Sequence, residues 1–332
     1  MSQMLREAQE APALIRKVLE SDNDVYANVA HHLRELDPPC VSTIARGSSD
    51  HAASFASYLI PLCTGKIVAS LAPSITTVLH AKLQTKKQFS LVISQSGRSP
   101  DIIQSVENVQ KGGGYIAGII NDVDSPVAEM SDVLLPQHAG KEGIAATKSV
   151  LCTMTSIARL VAEWTQDTRL LSALKDLPGQ VEQGLKAGLA LDRNVLKGMD
   201  HVYVLSRGLG LCAAQETALK LKETCGIHAE PFSAAEVRHG PREIVGGKFL
   251  VVALGLPDSG NEDVKAAAEE LRAQGARVLH IDASVLPKIS DARLAPIVAL
   301  SIMYPWLSES SKALGHDPDH PRTLKSKVIK TV

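Results

Sequence analysis

Short apolar runs punctuate this chain, each followed by a turn of small residues and then a stretch with helical spacing. In the first half, Cys40 to Ala45, Phe89 to Ile93, Tyr115 to Ile120 and Asp132 to Leu135 read as strands. Such runs, bounded by turns, suit strands buried on both faces of a parallel sheet. Asp50 to Leu62, Pro100 to Lys111 and Thr147 to Thr165 read as helices between and after them. Ser99 is placed as an N-cap and Pro100 as the first helical residue of its segment. Ahead of the strands, Met4 to Leu36 carries helical apolar spacing at Leu14, Ile15, Val18 and Leu19, and Pro38-Pro39 stops it. Strands alternating with helices predict a doubly wound α/β sheet with parallel strands.

The second half repeats the plan. His201 to Leu205, Phe249 to Leu254 and Arg277 to Ile281 read as strands, with helices from Leu211 and over Glu262 to Gln274. Ala45-Arg46-Gly47 followed by Ala52-Ala53 matches Ser206-Arg207-Gly208 followed by Ala213-Ala214, about 160 residues later. That spacing is a duplicated domain and not a solenoid repeat. The expected organisation is a helical segment over 1–36, a first domain over 37–175, a helical linker over 176–199, a second domain over 200–314 and a terminal loop over 315–332. Each domain is expected to be flavodoxin-like.

Composition narrows the class. A chain of 332 residues with 45% hydrophobic and 3% aromatic content has ample Ala, Val, Leu and Ile for two cores. A net charge of −1 without a long basic run disfavours nucleic acid or a membrane surface as partner. Five scattered cysteines (Cys40, Cys63, Cys152, Cys212, Cys225) lack metal spacing and fit reduced thiols in a cytoplasmic protein. No signal-peptide core or membrane-length apolar run is present. His51, His80 and His138 have no partner spacing, and His316 to His320 with Asp317 and Asp319 reads as a polar turn, so no metal site is assigned.

The densest candidate chemistry is Ser94-Gln95-Ser96-Gly97-Arg98-Ser99, between an apolar strand and a helix start. Free backbone N–H groups and the helix dipole make such a turn a phosphate site. The alternative is a plain N-cap with solvated serines. Arg46-Gly47-Ser48-Ser49 follows the first strand in the same way, and ligands of such sheets sit at strand carboxyl ends. The second copy has Leu209 and Gly210 where the first has Ser48 and Ser49, so one phosphate site per chain is expected.

Further along, Glu216, Lys220 and Glu223 are spaced to share one helix face, with Lys222 pointing elsewhere. Beside a phosphate loop, these groups and a histidine suit proton transfer at a sugar carbonyl. An ordinary ion pair is the other reading.

Taken together the chain resembles the sugar isomerase (SIS) family, nearest to the isomerase portion of glutamine–fructose-6-phosphate aminotransferases. Ala45 to Ser49, Ser94 to Gly97, Ala218 to Glu223, Ile227 to Glu230, His239-Gly240-Pro241 and Pro321-Arg322 carry the likeness over nearly the whole chain. The resemblance implies that Ser49, Ser94, Gln95, Ser96 and Ser99 hold a phosphate, with Gly47, Ser48, Ile144 and Ala145 also in the substrate site. It implies Glu223 as the base moving a proton between C1 and C2, Lys220 as its support, and His239 as a ring-opening histidine from the neighbouring subunit of a homodimer. A lysine of the terminal loop closes the site: Lys327, or alternatively Lys325. The pattern departs at Arg46, where a small residue is usual, at Arg98, where Glu is frequent, and in Ala139 to Lys148, which is one residue shorter.

No glutaminase segment precedes the entry helix of this sequence, which points to an aminosugar phosphate as substrate. The expected reaction is isomerisation and deamination of glucosamine 6-phosphate to fructose 6-phosphate and ammonia, with no metal or organic cofactor. Another phosphosugar isomerase or deglycase, and a non-catalytic phosphosugar sensor, are the alternatives; Glu223 and His239 together favour an enzyme.

Overall fold

The computed structural model describes residues 1–323. The elements run in the order α1 (Gln3–Glu20), α2 (Asn23–Leu36), β1 (Cys40–Ile44), α3 (Ser48–Thr64), β2 (Ile67–Ser70), α4 (Ser74–Thr77), β3 (Phe89–Ser94), α5 (Pro100–Lys111), β4 (Tyr115–Ile120), α6 (Pro126–Met130) and β5 (Val133–Pro136). They continue with α7 (Lys148–Thr165), α8 (Thr168–Ala190), β6 (His201–Ser206), α9 (Leu211–Lys220), β7 (His228–Ser233), β8 (Phe249–Leu254), α10 (Asn261–Ala273), β9 (Arg277–Ile281) and α11 (Ala295–Ala313).

Two parallel sheets result, one ordered β2-β1-β3-β4-β5 and one β7-β6-β8-β9. The expected tandem, flavodoxin-like architecture is therefore present. In each sheet the strand order reverses beside the first strand, between β1 and β3 and between β6 and β8. That reversal opens a crevice at the carboxyl ends of the two strands.

The chain divides into two compact units. One contains Ala13–Lys141 and Ser149–Lys175, with the five-stranded sheet; the other contains Met1–Pro12, Glu142–Lys148 and residues 176–323, with the four-stranded sheet.

The central strands are buried along their whole length, as β3 and β8 show, because helices cover both sheet faces. In the first unit Ile44, Val92, Ile102, Val106, Ile116 and Ile120 form one core cluster. In the second, Leu205, Val251, Ala253, Val264, Ala268 and Leu271 form its counterpart. Both clusters pack the helix after the third strand onto the strands beside it.

Two strands carry no periodic signal and were not expected. β2 is a four-residue edge strand, mostly exposed. β7 reads His-Ala-Glu-Pro-Phe-Ser, and its Pro231 is tolerated because the strand lies at the sheet edge. The N-terminal helical segment is two helices, broken at Ser21-Asp22, where Asp22 takes a left-handed φ of 58°. The expected linker begins inside α8 and ends in turns over 191–199.

Candidate active site

The serine turns fall at the first crevice. β1 leads through Ala45 and Arg46 to Gly47, whose φ of 55° and ψ of −133° favour glycine. The Gly47 carbonyl accepts from Asp50 N (2.9 Å) and His51 N (3.2 Å), so Ser48 and Ser49 form the first turn of α3. The first N–H groups of such a helix have no carbonyl partner within it.

On the neighbouring strand, β3 ends in Ser94, which is buried. Ser94 Oγ accepts from Gly97 N at 2.9 Å, and Ser96 Oγ accepts from Arg98 N at 3.3 Å. A hydroxyl that accepts from the backbone keeps its own O–H for donation. Gly97 has φ 60°, and a Cβ there would lie 2.0 Å from Ser125 Oγ. Ser99 stands at the N-cap of α5 but its hydroxyl makes no capping bond, and Pro100 takes the first helical position. The structure thus brings Gly47, Ser48, Ser49, Ser94, Gln95, Ser96 and Ser99 to adjacent strand ends of one sheet.

The two arginines here are engaged sideways. Arg98 Nε donates to Asp122 (3.0 Å) and Nη2 to the Asp124 carbonyl (3.1 Å). Arg46 Nε donates to Asp101 at 2.8 Å, from the end of β1 to the first turn of α5, and the Asp101 carboxylate is fully buried. The second copy repeats this bridge: Arg207, at the end of β6, lies 3.4 Å from Asp263 in the first turn of α10. There, however, Arg207 lies over Gly260, where a Cβ would sit 2.5 Å from Arg207 Cγ. The aliphatic stem of Arg207 thus lies against Gly260, and no serine pair follows Gly208.

In the second unit, α9 runs into a π-helical turn over Leu221–Cys225, closed by Gly226 with φ 63°. Such turns frequently mark functional positions. Lys220 Nζ lies 2.6 Å from Glu223 Oε2 and 3.3 Å from Glu216 Oε1. Side-chain exposure is 0% for Glu216, 1% for Lys220 and 19% for Glu223, so Glu223 is the member of this cluster that meets solvent. Burial pushes the Lys220 ammonium down, but the Glu216 and Glu223 carboxylates outweigh it and the net shift is upward. The lysine therefore stays charged between them.

Glu223 opens into a cavity of about 510 Å³. Lys222, Thr224 and Gly226 line one side, and His316, Asp317, His320 and Arg322 line the other. The described part of the expected terminal loop thus lines this cavity. Its polar-turn character is borne out: Asp317 accepts from Asp319 N and contacts His320 Nδ1, both at 2.9 Å. Asp319 in turn accepts from Gln3 N (2.6 Å) and Met4 N (2.8 Å), satisfying the start of α1.

Of the remaining expected residues, His239, Ile144 and Ala145 lie in the second unit. His239 is exposed beside a 3₁₀ turn and is not among the described residues lining the cavity. Ile144 and Ala145 sit in the Glu142–Lys148 segment, tied down by Gly143 N to Glu7 (2.9 Å), Thr147 N to Glu142 (2.9 Å) and Lys148 Nζ to Glu10 (2.6 Å). Lys327 and Lys325 lie outside the described residues.

Other chemistries find less support. Burial pushes the Cys225 thiol up to about 12 and raises that of Cys212 as well, which makes both poor nucleophiles. Among the described residues no group of three His, Cys, Asp or Glu is placed to hold a metal ion, and no helix is long and apolar enough to cross a membrane.

Comparison with known proteins agrees with this layout. The SIS domain family matches residues 40–162 and 196–297, one segment for each sheet. The chain is 29% identical over 347 residues to a glutamine–fructose-6-phosphate aminotransferase (isomerizing) of Thermococcus kodakarensis, covering 98% of this chain and 57% of that protein. The corresponding enzyme of Aquifex aeolicus is 28% identical over 342 residues, again with 57% of its length covered. The chain thus spans little more than half of these relatives. A crystal structure of a candidate phosphosugar isomerase from Silicibacter pomeroyi superposes with a TM-score of 0.91 at 34% identity, covering 96% of this chain and 100% of that one. The C-terminal domain of a Francisella tularensis glucosamine-fructose-6-phosphate aminotransferase shares the fold, with a TM-score of 0.85 at 24% identity. Two serine-lined strand ends, a buried lysine-carboxylate cluster on the duplicated half and a family match over both halves lead to one assignment: this chain belongs to the SIS domain family of phosphosugar isomerase-like proteins.

Proposed function

We propose that this protein is an aminosugar-phosphate isomerase that releases ammonia, converting glucosamine 6-phosphate and water to fructose 6-phosphate and ammonia. The observation that carries the reading is Glu223, a carboxylate 2.6 Å from a buried ammonium and opening into a cavity. Ser49, Ser94, Gln95, Ser96 and Ser99 bind the phosphate through neutral donors. His239, supplied by the second subunit of a homodimer, opens the ring. Glu223 takes the C2 proton of the open-chain amino aldehyde, giving a C1–C2 enolamine, and returns a proton to C1. The resulting ketimine is hydrolysed, and the nitrogen leaves as ammonia. Lys220 holds Glu223 in an ion pair, and Lys327 closes the loop over the sugar. The substrate's own C1 carbonyl and the enolamine formed from it hold the electrons through the proton transfer, so these steps draw on no added cofactor.

A second reading, a different phosphosugar for the same chemistry, is favoured by Arg46, which stands where a small residue is usual in the family.

The test is purified protein against a panel of aminosugar phosphates and ketose phosphates, with ammonia and fructose 6-phosphate measured. Glu223→Gln should lower kcat by about 10²–10⁴ while leaving binding of fructose 6-phosphate intact. Turnover surviving in that variant removes Glu223 from the mechanism. Faster turnover of another phosphosugar selects the second reading.

A further inference from the structure

The turn after α11 carries two histidines, and they differ in what holds them. His320 Nδ1 lies 2.9 Å from Asp317, and its side chain is 84% exposed. His316 is half-buried and lines the same cavity as Glu223. Among the described residues its ring nitrogens have no hydrogen-bond partner. An imidazole with both nitrogens available in a polar cavity can donate, accept or transfer a proton there.

The position of His316 is built into the frame that carries Glu223. Ser311, in the last turn of α11, donates from Oγ to the Thr224 carbonyl at 2.7 Å in a buried contact. The Ser311 carbonyl in turn accepts from His316 N at 3.0 Å. Gly315, with φ 81°, turns the chain between them. Thr224 directly follows Glu223 in the π-helical turn, so one serine ties the backbone of the histidine to the turn that carries the carboxylate. The ring packs on the end of that same turn: a Cβ at Gly226 would lie 3.6 Å from both Cε1 and Nε2 of His316. Because Gly226 has no side chain, the imidazole rests against the backbone of the turn.

We propose that His316 is a catalytic acid–base residue of this site, acting at the C1 oxygen of the substrate while Glu223 acts on carbon. This rests on the assignment of Glu223 as the base. Carrying the C2 proton to C1 leaves one proton unsupplied, because the aldehyde oxygen must end as a hydroxyl. As Glu223 breaks the C2–H bond, its electron pair forms the C1–C2 double bond. The C1–O π pair moves to oxygen, and the His316 imidazolium gives that oxygen its proton. Glu223 then returns its proton to C1, and the nitrogen lone pair forms the C2 iminium. Neutral His316 takes a proton from the water that adds to C2, and the carbinolamine collapses to the ketone and ammonia. Both side chains end as they began. His239 keeps a different task, at the ring oxygen.

The experiment compares wild-type protein, His316→Gln and His316→Ala on glucosamine 6-phosphate, or on whichever phosphosugar of the panel the wild type turns over. His316→Gln should lower kcat by about 10²–10⁴, with affinity for fructose 6-phosphate changed less than about threefold. Added imidazole should restore activity to His316→Ala in proportion to its concentration and restore none to Glu223→Gln. In the wild type, saturating fructose 6-phosphate should protect His316 from diethyl pyrocarbonate, read by peptide mass mapping. A kcat for His316→Gln within about threefold of wild type overturns the proposal. So does a loss that imidazole leaves unrestored in a folded variant. Modification of His316 that is unchanged by the ligand overturns it as well, whether or not a variant folds. A wild type that turns over no phosphosugar defeats the functional reading and this role with it; an active wild type beside an unimpaired His316→Gln defeats this role alone.

Discussion

Replacing Lys220 by Met keeps side-chain volume and removes the one ammonium between two carboxylates. Glu223 can turn toward the cavity, but Glu216 has 0% side-chain exposure and cannot reach water. Breaking a buried pair from one side typically costs about 3–5 kcal/mol. A ceiling follows from protonation, since a stranded carboxylate can take up a proton instead of staying charged. Neutralising it costs about 1.36 kcal/mol for each pH unit above an ordinary glutamate value of about 4.3. The ceiling is therefore about 3.7 kcal/mol at pH 7 and about 1 kcal/mol at pH 5. The sign is fixed: in the variant the folded form holds the proton more tightly than the unfolded form, so the penalty grows with pH and fades as pH falls toward the unfolded value. Urea unfolding of wild type and Lys220→Met at pH 5, 6, 7 and 8 reads the difference directly. Lys220→Met/Glu216→Gln should recover most of the loss at pH 7, because no charge remains stranded. A deficit independent of pH, or a double variant no better than the single one, would show that Lys220 acts through packing and that the electrostatic account of the cluster is wrong.

Two further outcomes test the first unit. Ser96→Ala should weaken binding of inorganic phosphate and of fructose 6-phosphate by about tenfold in titration calorimetry, the worth of one hydrogen bond to a charged group, and leave binding of unphosphorylated fructose unchanged. Equal losses for both kinds of ligand would remove the serine turn from phosphate recognition. Gly97→Ala should destabilise by at least about 1–2 kcal/mol in urea unfolding, because φ is 60° and the added methyl would meet Ser125 Oγ at 2.0 Å. A neutral result there contradicts the turn geometry.

Much of this site was legible because it depends on local spacing. Ser99 and Pro100 announce a helix start, and an apolar run before Ser94 announces a buried strand, so the crevice between β1 and β3 could be placed from turn chemistry alone. The pairing of Lys220 with Glu216 and Glu223 followed from helical periodicity, although the π turn that carries Glu223 left no mark in composition. What escaped was whatever depends on distant partners. The edge strands β2 and β7 take their structure from β1 and β6, and their own residues are exposed or mixed. Asp319 meets Gln3 across 316 positions of chain. Arg46 and Arg207, each set before a glycine, likewise meet an aspartate in the first turn of a later helix, a partner that only the fold supplies.

In the second half that bridge constrains the start of a helix. Any side chain at Gly260, the residue heading α10, would run into the aliphatic stem of Arg207, so the choice of residue there is set by a distant arginine. The first half carries Ser99 at the head of its own helix, and moving a serine into the matching place of the other repeat would force that stem aside.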